Sequence, residues 1–374
     1  MGSNGMLFSR FFLFTTVFLL PLIAVRADEA TDADQDNWLW FSETDLHVRG
    51  QGWQETSSPF TRLPDRAQEL VRPPVWNLSR DSAGLYLQFT TDAPTLRVRW
   101  TLLKERLAMN HMPATGVSGL DLYVRHENKW RFLAVGRPGN DVANDRTLFK
   151  DLPAETREFR LYFPLYNGIK SIEIGIPTGY TLEDSPQSDL KPVVLYGTSI
   201  LQGGCASRPG MAYPAILGRR FDDPLINLGF SGNGRGEPEV AELIAELDPS
   251  LFVLDPLPNI APSEVSEKLT NFVKILREKH PETPILLVES VAYTTSFLIP
   301  SRANRYQTSN ARLREVFEQL IEEGDENLYY FQSENLLGED GEDTVDGTHP
   351  TDLGFLRMAD GLEPAIREIL NTHR

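Results

Sequence analysis

The hydrophobic pattern of this chain changes period partway along, and that change constrains the fold more than any other feature. From about Leu85 to Ile176 apolar and polar residues alternate, as in Leu96-Arg97-Val98-Arg99-Trp100 and Ile172-Glu173-Ile174-Gly175-Ile176. Leu85–Phe89, Leu120–Val124, Trp130–Val135 and Phe159–Phe163 read as further strands, parted by turn formers such as Asp92-Ala93-Pro94 and Arg137-Pro138-Gly139-Asn140. Successive side chains of a strand point to opposite faces, so alternation means one face buried and one wet. Short strands of this kind with little helical pattern predict an antiparallel, jelly-roll-like β-sandwich over residues 38–185. Tyr180 to Lys191, rich in Asp, Ser and Pro, is the predicted linker.

After Pro192 the runs become continuous: Val193-Val194-Leu195-Tyr196, Leu251-Phe252-Val253-Leu254 and Ile285-Leu286-Leu287-Val288, with Leu225–Leu228 and Leu328–Phe331 as weaker members. Strands apolar on both faces must be covered on both faces, which is the signature of a parallel sheet. Between them apolar residues recur at three- and four-residue spacing: Val240-Leu243-Ile244-Leu247, Leu269-Phe272-Val273-Leu276, Leu313-Val316-Phe317-Leu320-Ile321 and Leu362-Ile366-Ile369-Leu370. The alternation of strand and helix predicts a doubly wound α/β domain over 190–374, following the β-sandwich. In such domains active sites lie beyond the carboxyl ends of the strands.

A length of 374 residues suits two domains. Residues 1–27 read as a secretory signal peptide: Arg10, a fifteen-residue run from Phe11 to Val25 whose only polar members are Thr15 and Thr16, then Val25-Arg26-Ala27. The expected location is therefore periplasmic or extracellular. Without Arg10 and Arg26 the formal net charge of −17 becomes two units more negative. So acidic a surface repels nucleic-acid phosphates and anionic membranes, which leaves neutral substrates and no stable membrane association after cleavage. The single cysteine, Cys205, excludes an intramolecular disulfide. The six histidines are scattered without paired ligand spacing, so neither a metal nor a cofactor is expected.

Four segments at predicted strand ends carry chemistry. Tyr196-Gly197-Thr198-Ser199 places a serine just past a buried strand, after a glycine that permits a tight turn. A serine hydroxyl needs a base to take its proton, and an imidazole held by a carboxylate supplies one. Only His349, in Asp346-Gly347-Thr348-His349-Pro350, lies on a loop after the sheet with an acid three residues before it. Acyl transfer also needs hydrogen-bond donors aimed at the developing oxyanion. The Ser199 N–H, the Gly232 N–H in the glycine-rich Gly229–Gly234 loop and the side-chain amide of Asn259 can form such a hole.

The order Ser, Gly, Asn, then Asp-x-x-His, on successive carboxyl-end loops, resembles the SGNH (GDSL-like) hydrolase family over about residues 190–374. The resemblance implies a serine esterase with Ser199 as nucleophile, Asp346 and His349 completing its triad, and Gly232 and Asn259 in the oxyanion hole. Two blocks depart from the common pattern: Gly-Asp-Ser becomes Gly197-Thr198-Ser199, and Gly-x-Asn-Asp becomes Leu257-Pro258-Asn259-Ile260. Gly119-Leu120-Asp121-Leu122-Tyr123 is similar to a Gly-x-Asp-Leu-Tyr motif found in one subgroup, whose members carry a β-rich N-terminal module.

These readings lead to hydrolysis of a carboxylic ester, with a short acyl group such as acetyl on a small molecule or polysaccharide as the expected substrate. Three alternatives stay open: a carbohydrate-binding protein that has lost activity, a thioesterase, and an arylesterase. Cys205, six residues after Ser199, is a rival nucleophile or simply a small apolar residue near the cleft. His111, Arg208 and Arg235 are candidate substrate contacts. Trp38, Trp40 and Trp53 are candidate sugar platforms or, more ordinarily, sandwich core.

Overall fold

In the alternating half, the strands form two antiparallel sheets. One orders Trp38–Ser42, Ile169–Pro177, Leu96–Leu102 and Ala143–Phe149; the other orders Leu182–Asp184, Tyr86–Thr91, Arg157–Tyr162, Leu120–His126 and Lys129–Gly136, with Val48–Arg49 beside Tyr86–Thr91. The computed structural model describes residues 1–2 and 37–373. The signal peptide expected at 1–27 thus lies, but for its first two residues, outside the described residues. Trp38–Arg374 form one compact unit.

Leu96, Val98, Trp100 and Leu102 alternate with half-exposed partners, and they meet Leu87, Phe89, Leu120, Leu122, Phe159 and Leu161 of the other sheet in one core. The period-two pattern thus becomes two inner faces of a sandwich. Leu182–Asp184 corrects the predicted linker: these residues pair with Tyr86–Thr91, and Thr91 Oγ1 donates to Thr181 O at 2.6 Å where the pairing begins. The tryptophans divide differently from expectation. Trp40 lies on the outside of its sheet under the Arg99 guanidinium, 3.8 Å from the ring centroid. Trp53 belongs to the core of the α/β half, with its indole N–H donating to Glu246 Oε2 at 3.0 Å.

The other half is a five-stranded parallel sheet ordered Leu225–Gly229, Val193–Gly197, Leu251–Asp255, Ile285–Val288, Leu328–Phe331. Every residue of its first three strands in the chain is buried. Val194, Tyr196, Phe252 and Leu254 face the helices Pro238–Ile244, Val265–Lys279 and Pro300–Glu322, while Val193, Leu195, Leu251 and Val253 face Tyr213–Phe221 and Asp352–His373. Helices on both faces account for the continuous apolar runs. Both cores also take residues from before the sheet: Leu63, Val71 and Val75 enter one, Met112, Val117 and Leu165 the other. Among the described residues no helix is long and apolar enough to cross a membrane.

Candidate active site

Parallel register brings the predicted segments to one edge of the sheet. Gly197 pairs with both Gly229 and Asp255, so the loops that follow all emerge side by side. Ser199 begins a short helix, Ser199–Gln202, capped by Thr198, whose hydroxyl accepts from Ile200 N at 3.3 Å. At the first helical position the Ser199 N–H has no acceptor four residues earlier within the helix. Its Oγ lies 2.9 Å from His349 Nε2.

The carboxylate of Asp346 grips His349 through both oxygens. Oδ2 is 2.8 Å from the ring Nδ1, and Oδ1 accepts from the His349 backbone N at 2.8 Å and from Thr348 N at 3.0 Å. Partial burial raises the Asp346 pKa, but these hydrogen bonds and the His349 charge outweigh it and hold the carboxyl below its ordinary value. With Nδ1 facing a carboxylate, the neutral ring carries its proton there and turns a lone pair on Nε2 toward Ser199. The loop is braced from outside: Thr294 N donates to Gly347 O at 3.1 Å, and Arg302 Nη1 to Thr348 Oγ1 at 3.0 Å.

Gly232 and Asn259 come together, but not as two independent donors. With the amide oxygen of Asn259 turned toward its neighbours, it accepts from Gly232 N at 3.3 Å and Asn233 N at 3.2 Å. Gly232 has φ +67, in the left-handed region that favours glycine. Gly234 is needed for closeness, since a Cβ there would collide with Gly197 O.

Several residues that hold this loop were not legible beforehand. Gln202, fully buried, accepts from Ser231 N at 3.0 Å while its amide donates to Leu165 O and Asp81 Oδ2. Asn227 Nδ2 donates to Leu201 O at 2.9 Å and so ties the serine helix to the neighbouring strand. Buried Arg62 donates to Asn227 O at 3.1 Å and Gly229 O at 2.8 Å. Burial lowers the Arg62 pKa to about 10, which leaves it charged at neutral pH. An arginine and an aspartate more than a hundred residues before Ser199 carry no local signal of such a task.

The other candidates separate. Arg208 is committed to Asp121 Oδ2 at 2.7 Å and Tyr123 Oη at 2.6 Å, so it joins the Gly-x-Asp-Leu-Tyr strand to the loop after the serine helix. Arg235 lies at the rim, with Nε donating to Gly232 O at 2.8 Å. His111 reaches the site: its ring centroid is 6.0 Å from that of His349, at 61°. Cys205 is buried, and burial together with the nearby Asp346 charge pushes its thiol up to about 12, which withholds the thiolate a nucleophile needs. Beside the His349 loop, Phe297 and Leu298 are 80% and 74% exposed.

A parallel sheet with a hydrogen-bonded serine, histidine and carboxylate at its carboxyl edge is an arrangement that serine hydrolases share. Residues 190–367 match the GDSL-like lipase/acylhydrolase family, and residues 37–182 match the N-terminal region of SGNH-hydrolase-type esterases. A structure assigned as a GDSL-like lipase from Bacteroides ovatus is 38% identical, with a TM-score of 0.86 over 90% of this chain and 98% of that one. A salicylyl-acyltransferase from a tetracycline biosynthetic pathway is 23% identical (TM-score 0.73, 90% and 99% covered). A family two carbohydrate esterase from Clostridium thermocellum, in complex with cellohexaose, is 13% identical (TM-score 0.57, 77% and 93% covered). No curated protein matches the chain. The chain belongs to the GDSL-like lipase/acylhydrolase family and is an ester hydrolase.

Proposed function

We propose that the protein is an exported serine esterase that removes short acyl groups, acetyl above all, from carbohydrate hydroxyls. The observation that carries the mechanism is the continuous chain Ser199 Oγ, His349 Nε2, His349 Nδ1, Asp346 Oδ2, with links of 2.9 and 2.8 Å. His349 takes the Ser199 proton as Oγ attacks the ester carbonyl. The tetrahedral oxyanion is met by the Ser199 N–H and by donors of the Gly232–Asn259 pair. His349 then returns the proton to the leaving alcohol, and an acyl-enzyme remains on Ser199. Water, deprotonated by His349, attacks the acyl carbonyl and releases the acid and free Ser199.

The choice of a glycan ester rests on the export signal, the strongly acidic charge and the appended β-rich half. Carbohydrate esterases of the same fold make acetylated glycans the first substrates to try. Acetate release from acetylated xylo-oligosaccharides, measured beside p-nitrophenyl esters of rising chain length, tests it. A fall in kcat/KM from acetate to octanoate, with turnover of the glycan, is the expected result. The exposed Phe297-Leu298 pair favours a second reading, an esterase for apolar or aromatic esters; rates that rise with chain length, with no glycan turnover, would establish that reading instead.

A further inference from the structure

His111 stands beside the proposed base yet has no part in the steps above. Its turn, Met109–Met112, is closed by reciprocal backbone hydrogen bonds, Met109 N to Met112 O at 3.0 Å and Met112 N to Met109 O at 3.2 Å. By sequence the turn belongs to the β-rich half, but it is seated in the other half. Met112 is buried in the core that holds Ile200, Leu201 and Cys205, and Thr115 Oγ1 donates to Ser207 O at 2.6 Å. The imidazole is therefore mounted on packed structure at both ends of its turn.

Its tautomer follows from its partner. Asn110 Oδ1 lies 3.0 Å from His111 Nδ1, and an amide oxygen only accepts, so Nδ1 carries the hydrogen and Nε2 of the neutral ring presents a lone pair. Among the described residues no hydrogen bond reaches that Nε2. A half-buried acceptor beside the ring of His349 suits a hydroxyl donor; an ester carbonyl or a carboxylate, having no hydrogen to give, does not fill it.

We propose that His111 Nε2 accepts a hydrogen bond from a substrate hydroxyl on the carbon next to the esterified one. The β-rich half would then read the alcohol portion of the substrate. The position follows from the proposed function, on which this inference rests: His349 delivers its proton to the leaving oxygen, so a group beside its ring stands on the alcohol side. A vicinal diol monoester, the arrangement around a sugar ring, presents such a hydroxyl.

The alternative is a packing role, in which His111 merely steadies His349. Two esters that differ by one hydroxyl separate the two: 2-hydroxyethyl acetate and ethyl acetate. For wild type, His111→Phe and His111→Ala the ratio of kcat/KM values is measured, with Ser199→Ala as reference. Loss of one hydrogen bond is expected to lower the hydroxy-ester preference about tenfold in both variants. His111→Phe keeps a ring against His349, and in both variants the ratio of the two esters, not either rate alone, carries the test. A ratio unchanged within twofold overturns the inference, including the case where both rates fall together. If Ser199→Ala is inactive while the ratio stays unchanged, only the His111 role falls. Equal turnover by Ser199→Ala, or no turnover of either ester by wild type, removes the proposed function and this inference with it.

Discussion

Asp346 holds His349 at two points, the ring Nδ1 at 2.8 Å and the backbone N at 2.8 Å, so one carboxylate fixes both the tautomer and the position of the imidazole. Asp346→Asn separates these tasks. The amide oxygen can still accept from the backbone, but the amide nitrogen offers hydrogens to Nδ1 and drives the proton to Nε2, facing Ser199. The wrong tautomer costs about 10⁴-fold where the acid is buried. Asp346 is 42% exposed, so a fall in kcat of about 10²-fold is expected, with Tm little changed. Steady-state kinetics with p-nitrophenyl acetate checks this; a kcat within threefold of wild type contradicts it.

Asn259→Ala is expected to lower kcat with little change in KM, because an oxyanion donor acts mainly in the transition state. Loss of one such donor typically costs 10²- to 10³-fold. Here the Asn259 oxygen also engages Gly232 N, so its removal frees that N–H for the oxyanion. The expected fall is therefore smaller, about tenfold to 10²-fold. A rise in KM at constant kcat would show that Asn259 binds substrate instead.

The Asp121–Arg208 pair tests the joint between the two halves. Asp121 is fully buried and Arg208 is 21% exposed in its side chain, while Gly210 N also donates to Asp121 Oδ2 at 2.8 Å. Burial raises the Asp121 pKa against the pull of Arg208, and among the described residues Oδ1 has no hydrogen-bond partner. Removing one member of a buried pair strands the other. Asp121→Asn is expected to destabilise by roughly 2–4 kcal/mol, below the fully buried range because Arg208 keeps some water. Urea unfolding measures it; a change under about 0.5 kcal/mol would place the pair among ordinary surface bridges.

Asp255 gives a pH signature. It ends the third strand, buried, with the Tyr213 hydroxyl at 3.0 Å, and burial lifts its carboxyl from 3.8 to about 7 against that hydrogen bond. The folded state thus binds this proton more tightly than the unfolded chain. The stability this contributes is present below about pH 4 and is lost as pH rises through about 7. Between pH 4 and pH 8 the unfolding free energy of Asp255→Asn should gain roughly 1–4 kcal/mol on wild type. Denaturation at the two pH values reads this out, and a difference independent of pH contradicts it.

How much of this the sequence carries depends on the range of the interaction. Both layers and the parallel strands were legible because each residue's neighbours at two, three or four positions decide which face it buries. Ser199, Asp346 and His349 were legible as motif residues; parallel register aligns the loops after Val193–Gly197, Leu225–Gly229 and Leu251–Asp255, and the His349 loop is tied to the serine loop by Cys205 N, which donates to Pro350 O at 3.0 Å. The brace formed by Arg62, Asp81 and Gln202 was not, because each acts across more than 100 residues or through backbone atoms that leave no trace in composition. The ion pair of Arg208 was not legible for the same reason: its partner, Asp121, lies 87 positions away. Trp40 and Trp53 show that an aromatic residue in a strand-rich stretch need not belong to that sandwich's core.

The central claim is that Ser199, activated by His349, attacks the ester. Hydrolysis of p-nitrophenyl acetate by wild type, Ser199→Ala, His349→Ala and Cys205→Ala tests it most directly. The expected result is a loss of at least about 10³-fold in the first two variants and activity within about threefold of wild type in the third. Ser199→Ala as active as wild type, or Cys205→Ala as inactive as the expected Ser199→Ala, would contradict the account.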